Sequence, residues 1–202
     1  MAAGERHMEA SLVDVVRDCV RGLGDDHRSQ IGRFLNEDDL KVAICGRLAL
    51  LAPFSVPGAM LGGGVGTWIH SEMHWQDENG VLGIRPDITI FNPAHARVLD
   101  DDGRLTAFQN WNGRRSGSKR MSFRGNAIAI EIKVADQGLA EKNACILEDH
   151  TQMLRLTRLH PDTHAFVVYA SRLDEDDTVG LVDAETVHPV YLRGGVSPSA
   201  RC

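Results

Sequence analysis

Apolar and polar positions along the chain follow two periods, and the switch between them outlines the architecture. Over residues 8–22, Leu12, Val15, Val16, Cys19 and Val20 recur at helical spacing, and Gly22 and Gly24 are expected to close the segment. A second helix is predicted to begin at Asn36, a good N-cap, with Glu37, Asp38 and Asp39 in the first turn, where the helix dipole favours acids. Leu40, Ile44, Leu48 and Leu51 keep the helical period until Pro53 stops it. A glycine-rich passage runs from Gly58 to Gly66, and from Thr67 the period becomes two. Trp68 to Trp75 reads as a strand, Asp77-Glu78-Asn79-Gly80 as a hairpin turn, and Val81 to Phe91 as the partner strand. A second hairpin is expected from Ala96–Asp100 and Arg104–Phe108, turning at Asp102-Gly103, and the polar, aperiodic stretch from Gln109 to Asn126 reads as a loop. Ala127 to Ala135 is the clearest strand. A helix over about Glu141 to Leu159 ends before Pro161, Ala165 to Ala170 is a buried strand, and Val187 to Leu192 is a final edge strand in which Pro189 is tolerated.

Helices, antiparallel hairpins, a central strand, a crossover helix and a further strand predict an α/β domain with a mixed central sheet flanked by helices. No internal repeat or linker divides the chain. The expectation is one domain over residues 1–202, with a core at about 36–170 and an N-terminal helical extension over 1–35.

Charge changes this picture locally. The net charge of -6 rules out a generic polyanion binder, so any role with nucleic acid must rest on a local patch. Such a patch exists: between Asp102 and Glu131 there is no acid, while Arg104, Arg114, Arg115, Lys119, Arg120 and Arg124 cluster around Trp111 and Phe123. These cations suit phosphate contacts, and Trp111 suits stacking on an unpaired base; a solvated loop with incidental charge is the plainer alternative. The four cysteines lie far apart without a CxxC pair, which suggests neither a zinc site nor a disulfide framework. His70 and His74 share a strand face but lack a third ligand at metal spacing. Gly62-Gly63-Gly64-Val65-Gly66 is not followed by Gly-Lys-Ser/Thr, so it is no P-loop. With no apolar leader after Met1 and no apolar run long enough to span a bilayer, the protein is expected to be soluble and cytoplasmic, without membrane contact.

The central strand carries the strongest chemical signal. Ile128, Ile130, Ile132 and Val134 form one face, and Ala129, Glu131, Lys133 and Ala135 the other. A carboxylate and an ammonium thus stand side by side among small residues, a costly pair to bury without partners; an ordinary surface pair is the alternative. Asp87, within Arg85-Pro86-Asp87-Ile88-Thr89-Ile90, is equally unusual, because aspartate is disfavoured inside strands. It either holds a metal at a bend beside Glu131 or caps a strand that starts late.

Taken together, Pro86-Asp87 and Glu131-Ile132-Lys133, both in apolar strand contexts and followed by a crossover helix and another apolar strand, resemble the PD-(D/E)XK nuclease superfamily. The resemblance spans roughly residues 36–170 and implies a restriction-endonuclease-like fold. It further implies that Asp87, Glu131 and the Ile132 carbonyl hold Mg²⁺ or Mn²⁺, and that Lys133 holds or deprotonates the attacking water. Glu37 matches a further acid that the family often carries on a helix before the hairpin, although a first-turn acid favouring the dipole explains it as well. Glu72, on the first hairpin strand with Trp68, His70 and His74, is its rival. Gln152, one turn beyond Glu148 and Asp149, matches a glutamine that orients the site in many relatives, or else belongs to a solvated helix face. The implied activity is hydrolysis of phosphodiester bonds, DNA first among substrates, by a homodimer or a subunit of a larger assembly. A catalytically silent nuclease-like domain that binds nucleic acid or a protein is the alternative, and a binding module for a small phosphorylated ligand is a more distant one.

Overall fold

The computed structural model describes residues 3–29, 36–61, 63–76, 79, 82–98, 121–123 and 126–197. Two helices lead, α1 (Ala3–Ser29) and α2 (Glu37–Leu48). Six short strands follow: β1 (Gly58–Ala59), β2 (Val65–Gly66), β3 (Ile69–Ser71), β4 (Trp75–Gln76), β5 (Leu82–Ile84) and β6 (Ile88–Phe91). A 3-10 turn over Pro93–His95 leads into β7 (Ala96–Val98). Then come β8 (Met121–Phe123), β9 (Ala127–Ala135), α3 (Leu139–Leu159), β10 (Thr163–Ser171) and β11 (Val187–Leu192).

Five strands form the main sheet in the order β11-β10-β9-β6-β3. β9, β10 and β11 run parallel, while β6 is antiparallel to β9 and β3 is antiparallel to β6. The sheet is therefore mixed, and the protein is α/β with helices on both faces. On one side Ile128, Ile130, Ile132 and Val134 of β9 pack with Val16, Val20 and Leu23 of α1 and Leu40, Ile44 and Leu48 of α2. On the other, Ala127, Ala129 and Ala135 leave space for α3, which contributes Ile146, Met153 and Leu156. Burial on both faces explains why β10 is an almost unbroken apolar run. The remaining strands pair as β1-β2, β4-β5 and β7-β8. Among the described residues no helix is long and apolar enough to cross a membrane.

Several elements differ from their predicted form. α1 does not stop at Gly22 or Gly24. A helical glycine costs about 1 kcal/mol against alanine, but Leu23 is fully buried and His27 is buried with Nε2 2.7 Å from the Ser171 carbonyl. These contacts carry the helix through, and a Cβ on Gly24 would stand 3.5 Å from Leu192. Gly195 approaches the same helix so closely that a Cβ would lie 2.3 Å from the Arg28 carbonyl oxygen. α2 starts as expected, with the Asn36 side chain accepting the Asp39 N–H at 2.9 Å, but it ends at Leu48, short of Pro53.

The strand expected over Trp68–Trp75 breaks after Ser71. Glu72 takes a left-handed backbone (φ +50°), and its N–H donates to the Asp87 carbonyl at 2.9 Å. Its partner breaks at Arg85-Pro86-Asp87, where Pro86 has no N–H for a ladder. The hairpin survives as the β4-β5 pair, with a register shift at Trp75/Gln76. The predicted partner strand at 104–108 lies outside the described residues; β7 pairs with β8, drawn from the predicted loop, with Ala96 opposite Phe123.

Candidate active site

The candidate site forms where β9 outruns β6. β10 pairs with all nine residues of β9, but β6 pairs only with Ala127 to Ile130. At Glu131 the neighbouring strand has not yet begun, and Asp87, the residue just before β6, lies across from it. The Asp87 side chain continues the ladder: its Oδ2 accepts the Ile132 N–H at 2.8 Å. In a strand the N–H and C=O of one residue point to the same edge, so the Ile132 carbonyl also faces this gap rather than β10. Asp87 thus caps a strand and meets Glu131 at the same time.

Glu131 is the least compensated group here. Its Oε2 is buried without a hydrogen-bond partner. Burial first, then the neighbouring carboxylates of Asp87 and Asp149, push its carboxyl up to about 8. Lys133, two residues on and on the same face, places its ammonium 3.3 Å from Asp149 Oδ2 of α3 and 3.6 Å from Glu37 Oε1 at the start of α2. Burial alone would draw the Lys133 pKa down, but Asp149 and Glu37 overcome that and raise it. Asp149 is itself raised, by burial, with Lys133 opposing the shift.

A second lysine faces the same gap. Lys41 of α2 sets its ammonium 3.0 Å from Asp87 Oδ1, 3.1 Å from Glu72 Oε1 and 3.5 Å from Asp38 Oδ1. Glu72 is held below its ordinary carboxylate value, chiefly by this lysine, and Arg85 lies 3.7 Å from its other oxygen. Two of the chain's four lysines are therefore spent on one cluster. Six carboxylates (Glu37, Asp38, Glu72, Asp87, Glu131 and Asp149) face three cations, so the site is short of positive charge.

Asp87, Glu131, Lys133, Glu37 and Glu72 all belong to this constellation. Glu72 reaches it from a strand break instead of a strand face. His70, expected beside it, is buried, stacks on Phe91 with centroids 4.5 Å apart and lies with Nε2 2.9 Å from the Thr67 carbonyl. Gln152 is exposed on α3, and among the described residues no hydrogen bond or ion pair joins it to the cluster. Trp111, Arg114, Arg115, Lys119, Arg120 and Arg124 lie outside the described residues. The roots of their segment, β7 and β8, stand at the Ala127 end of β9, four residues or about 13 Å from Glu131.

Lys41 and Asp149 were not singled out by sequence pattern. The one available signal for Lys41 is scarcity: it is the only lysine before Lys119. Asp149 reads as part of a polar helix face because its partner lies on another element.

The oxygens available to a cation are those of Asp87 and Glu131 and the Ile132 carbonyl. Among the described residues no three His, Cys, Asp or Glu side chains converge as a ready-made metal cage; the two ammonium groups stand between the carboxylates instead. No model of a known protein family, no curated protein and no solved structure matches this chain.

Proposed function

We propose that this chain is a metal-dependent phosphodiesterase of the restriction-endonuclease-like kind, acting on nucleic acid, with DNA as the first substrate to test. The observation that carries the reading is the meeting of Asp87 and Glu131 at the start of β6, with Lys133 beside them. The surplus of carboxylates and the partnerless Glu131 oxygen suit a hard divalent cation, which prefers oxygen donors. Bound there, Mg²⁺ or Mn²⁺ would acidify a water and neutralise charge on the phosphate.

The chain's own residues divide the remaining work. Asp87 and Glu131 supply anionic oxygens, and Ile132 supplies its carbonyl. Lys133, with its pKa raised, stays protonated and acts as a donor that steadies negative charge, not as the base. Glu37 and Asp149 hold that ammonium from two different helices, which fixes its direction. The Glu131 proton must leave before its carboxylate can take a cation, so cation uptake releases a proton below about pH 8.

The test is cleavage of labelled duplex DNA, single-stranded DNA and RNA with Mg²⁺, Mn²⁺ or EDTA. Wild type is compared with folded Asp87→Asn, Glu131→Gln and Lys133→Ala. Metal-dependent cutting that falls at least about a hundredfold in each variant is the expected result. Folded wild type that cuts nothing, or cuts equally in EDTA, overturns it. One observation favours a second reading, a silent domain that binds nucleic acid: Lys41 and Lys133 already pair with the carboxylates, so the cluster holds cations of its own. Metal-independent binding without cleavage would select that reading.

A further inference from the structure

The Lys41 ammonium has three N–H donors, and three carboxylates surround it: Asp87, Glu72 and Asp38. The side chain is only 12% exposed, so solvent supplies little of its stabilisation. Its closest partner, at 3.0 Å, is Oδ1 of Asp87. The other oxygen of Asp87 is committed to the Ile132 N–H. Each Asp87 oxygen thus already accepts from a donor, and a divalent cation placed on Oδ1 would stand close against a like-charged ammonium. Of the two, the ammonium is the one that can leave: it sits at the end of a flexible four-carbon stem, whereas the N–H belongs to the central strand.

Glu72 reinforces this arrangement. Its left-handed backbone is uncommon for a residue with a side chain, and the N–H to the Asp87 carbonyl holds it in register with Asp87. The strand break thereby delivers a second carboxylate to the same ammonium. The geometry is that of a monovalent cation seated between two acids.

Building on the metal-dependent reading above, we infer that Lys41 is the resident counter-cation of this site, and that a divalent cation engages Asp87 only by displacing the Lys41 ammonium. Lys41 then sets the metal affinity by competition. It keeps Asp87 and Glu72 paired when no metal is present, and metal occupancy frees a buried ammonium beside the site.

Mn²⁺ affinity, measured by calorimetry without substrate, tests this in wild type, Lys41→Met and Asp87→Asn. Competition predicts that Lys41→Met binds Mn²⁺ about tenfold more tightly than wild type, the equivalent of about 1.4 kcal/mol. A lysine that merely props Asp87 in place predicts the opposite, so unchanged or weaker binding overturns the inference. Asp87→Asn separates the two levels. If wild type binds and Asp87→Asn does not, the metal site stands and the Lys41 result judges displacement alone. If neither wild type nor Lys41→Met binds Mn²⁺, both readings fall. A measurement on wild type guards against a variant that misfolds: acetylation of Lys41, followed by mass spectrometry with Lys142 as the internal reference, is expected to rise when Mn²⁺ is added. Unchanged Lys41 labelling with Mn²⁺ bound refutes displacement.

Discussion

Replacing Glu131 with glutamine keeps the shape of the side chain and removes its ionisation. In the native protein this carboxyl is raised from 4.5 to about 8, which at about 1.4 kcal/mol per tenfold corresponds to at most about 5 kcal/mol. The sign follows from linkage. Below about pH 4.5 the carboxyl is protonated in both folded and unfolded chains and costs nothing. As the pH rises towards 8 the unfolded chain gives up the proton and the folded chain keeps it, so stability declines across that window and levels off above it. Glu131→Gln loses this contribution, while any decline from the raised carboxyl of Asp149 is common to both proteins. Local relaxation and water entry reduce the realised gain to about half of the maximum, about 2–3 kcal/mol, or about 5–10 °C in Tm for a chain of this size. Thermal unfolding in EDTA at several values between about pH 5 and pH 8 is the assay. The two Tm curves should nearly meet at the acid end and diverge towards the alkaline end, with the variant higher. A constant offset, or a variant less stable than wild type at about pH 8, refutes the claim that Glu131 is held at an energetic cost. On the metal-dependent reading proposed above, adding Mn²⁺ should reverse the order, because the variant lacks the Glu131 carboxylate.

Two further substitutions probe the frame around Glu131. Asp87→Asn retains a carbonyl oxygen for the Ile132 N–H, whereas Asp87→Ala leaves that donor unpaired, so urea denaturation should find the alanine variant weaker by about 1–3 kcal/mol; equal stabilities would show that Asp87 does not close the ladder. At position 72 glycine and alanine both lose the Lys41 pair, and only glycine accepts a positive φ without strain. Glu72→Gly should therefore be more stable than Glu72→Ala by about 1 kcal/mol, and the reverse order in denaturant melts would deny the left-handed backbone.

What the sequence revealed follows the range of the forces involved. β9, α3, β10 and β11 were legible because an unbroken apolar run or a helical stripe is a local pattern, and each is buried as its pattern demands. The break at Glu72 was not, because it is stabilised by the carbonyl of Asp87, fifteen residues away. Gly22 and Gly24 misled for a similar reason: their local cost is outweighed by burial of Leu23 and His27 against distant strands. The same logic divides the site. Asp87, Glu131 and Lys133 stand out as charges in apolar strands, whereas Lys41 sits in an ordinary amphipathic helix and acquires its meaning only from acids at positions 72 and 87.

The packing of α1 against β11 has a consequence for how the chain is made. Val13, Val16, Val20 and Leu23 are buried by contacts that include the last strand of the sheet. At ribosomal rates of about 5–20 residues per second, that strand follows α1 out of the tunnel by roughly ten to thirty seconds. For that interval the nascent chain carries an apolar stripe whose cover is missing its last strand. Nascent chains stalled before Val187 should therefore recruit holding chaperones through α1, and release them once β11 has emerged.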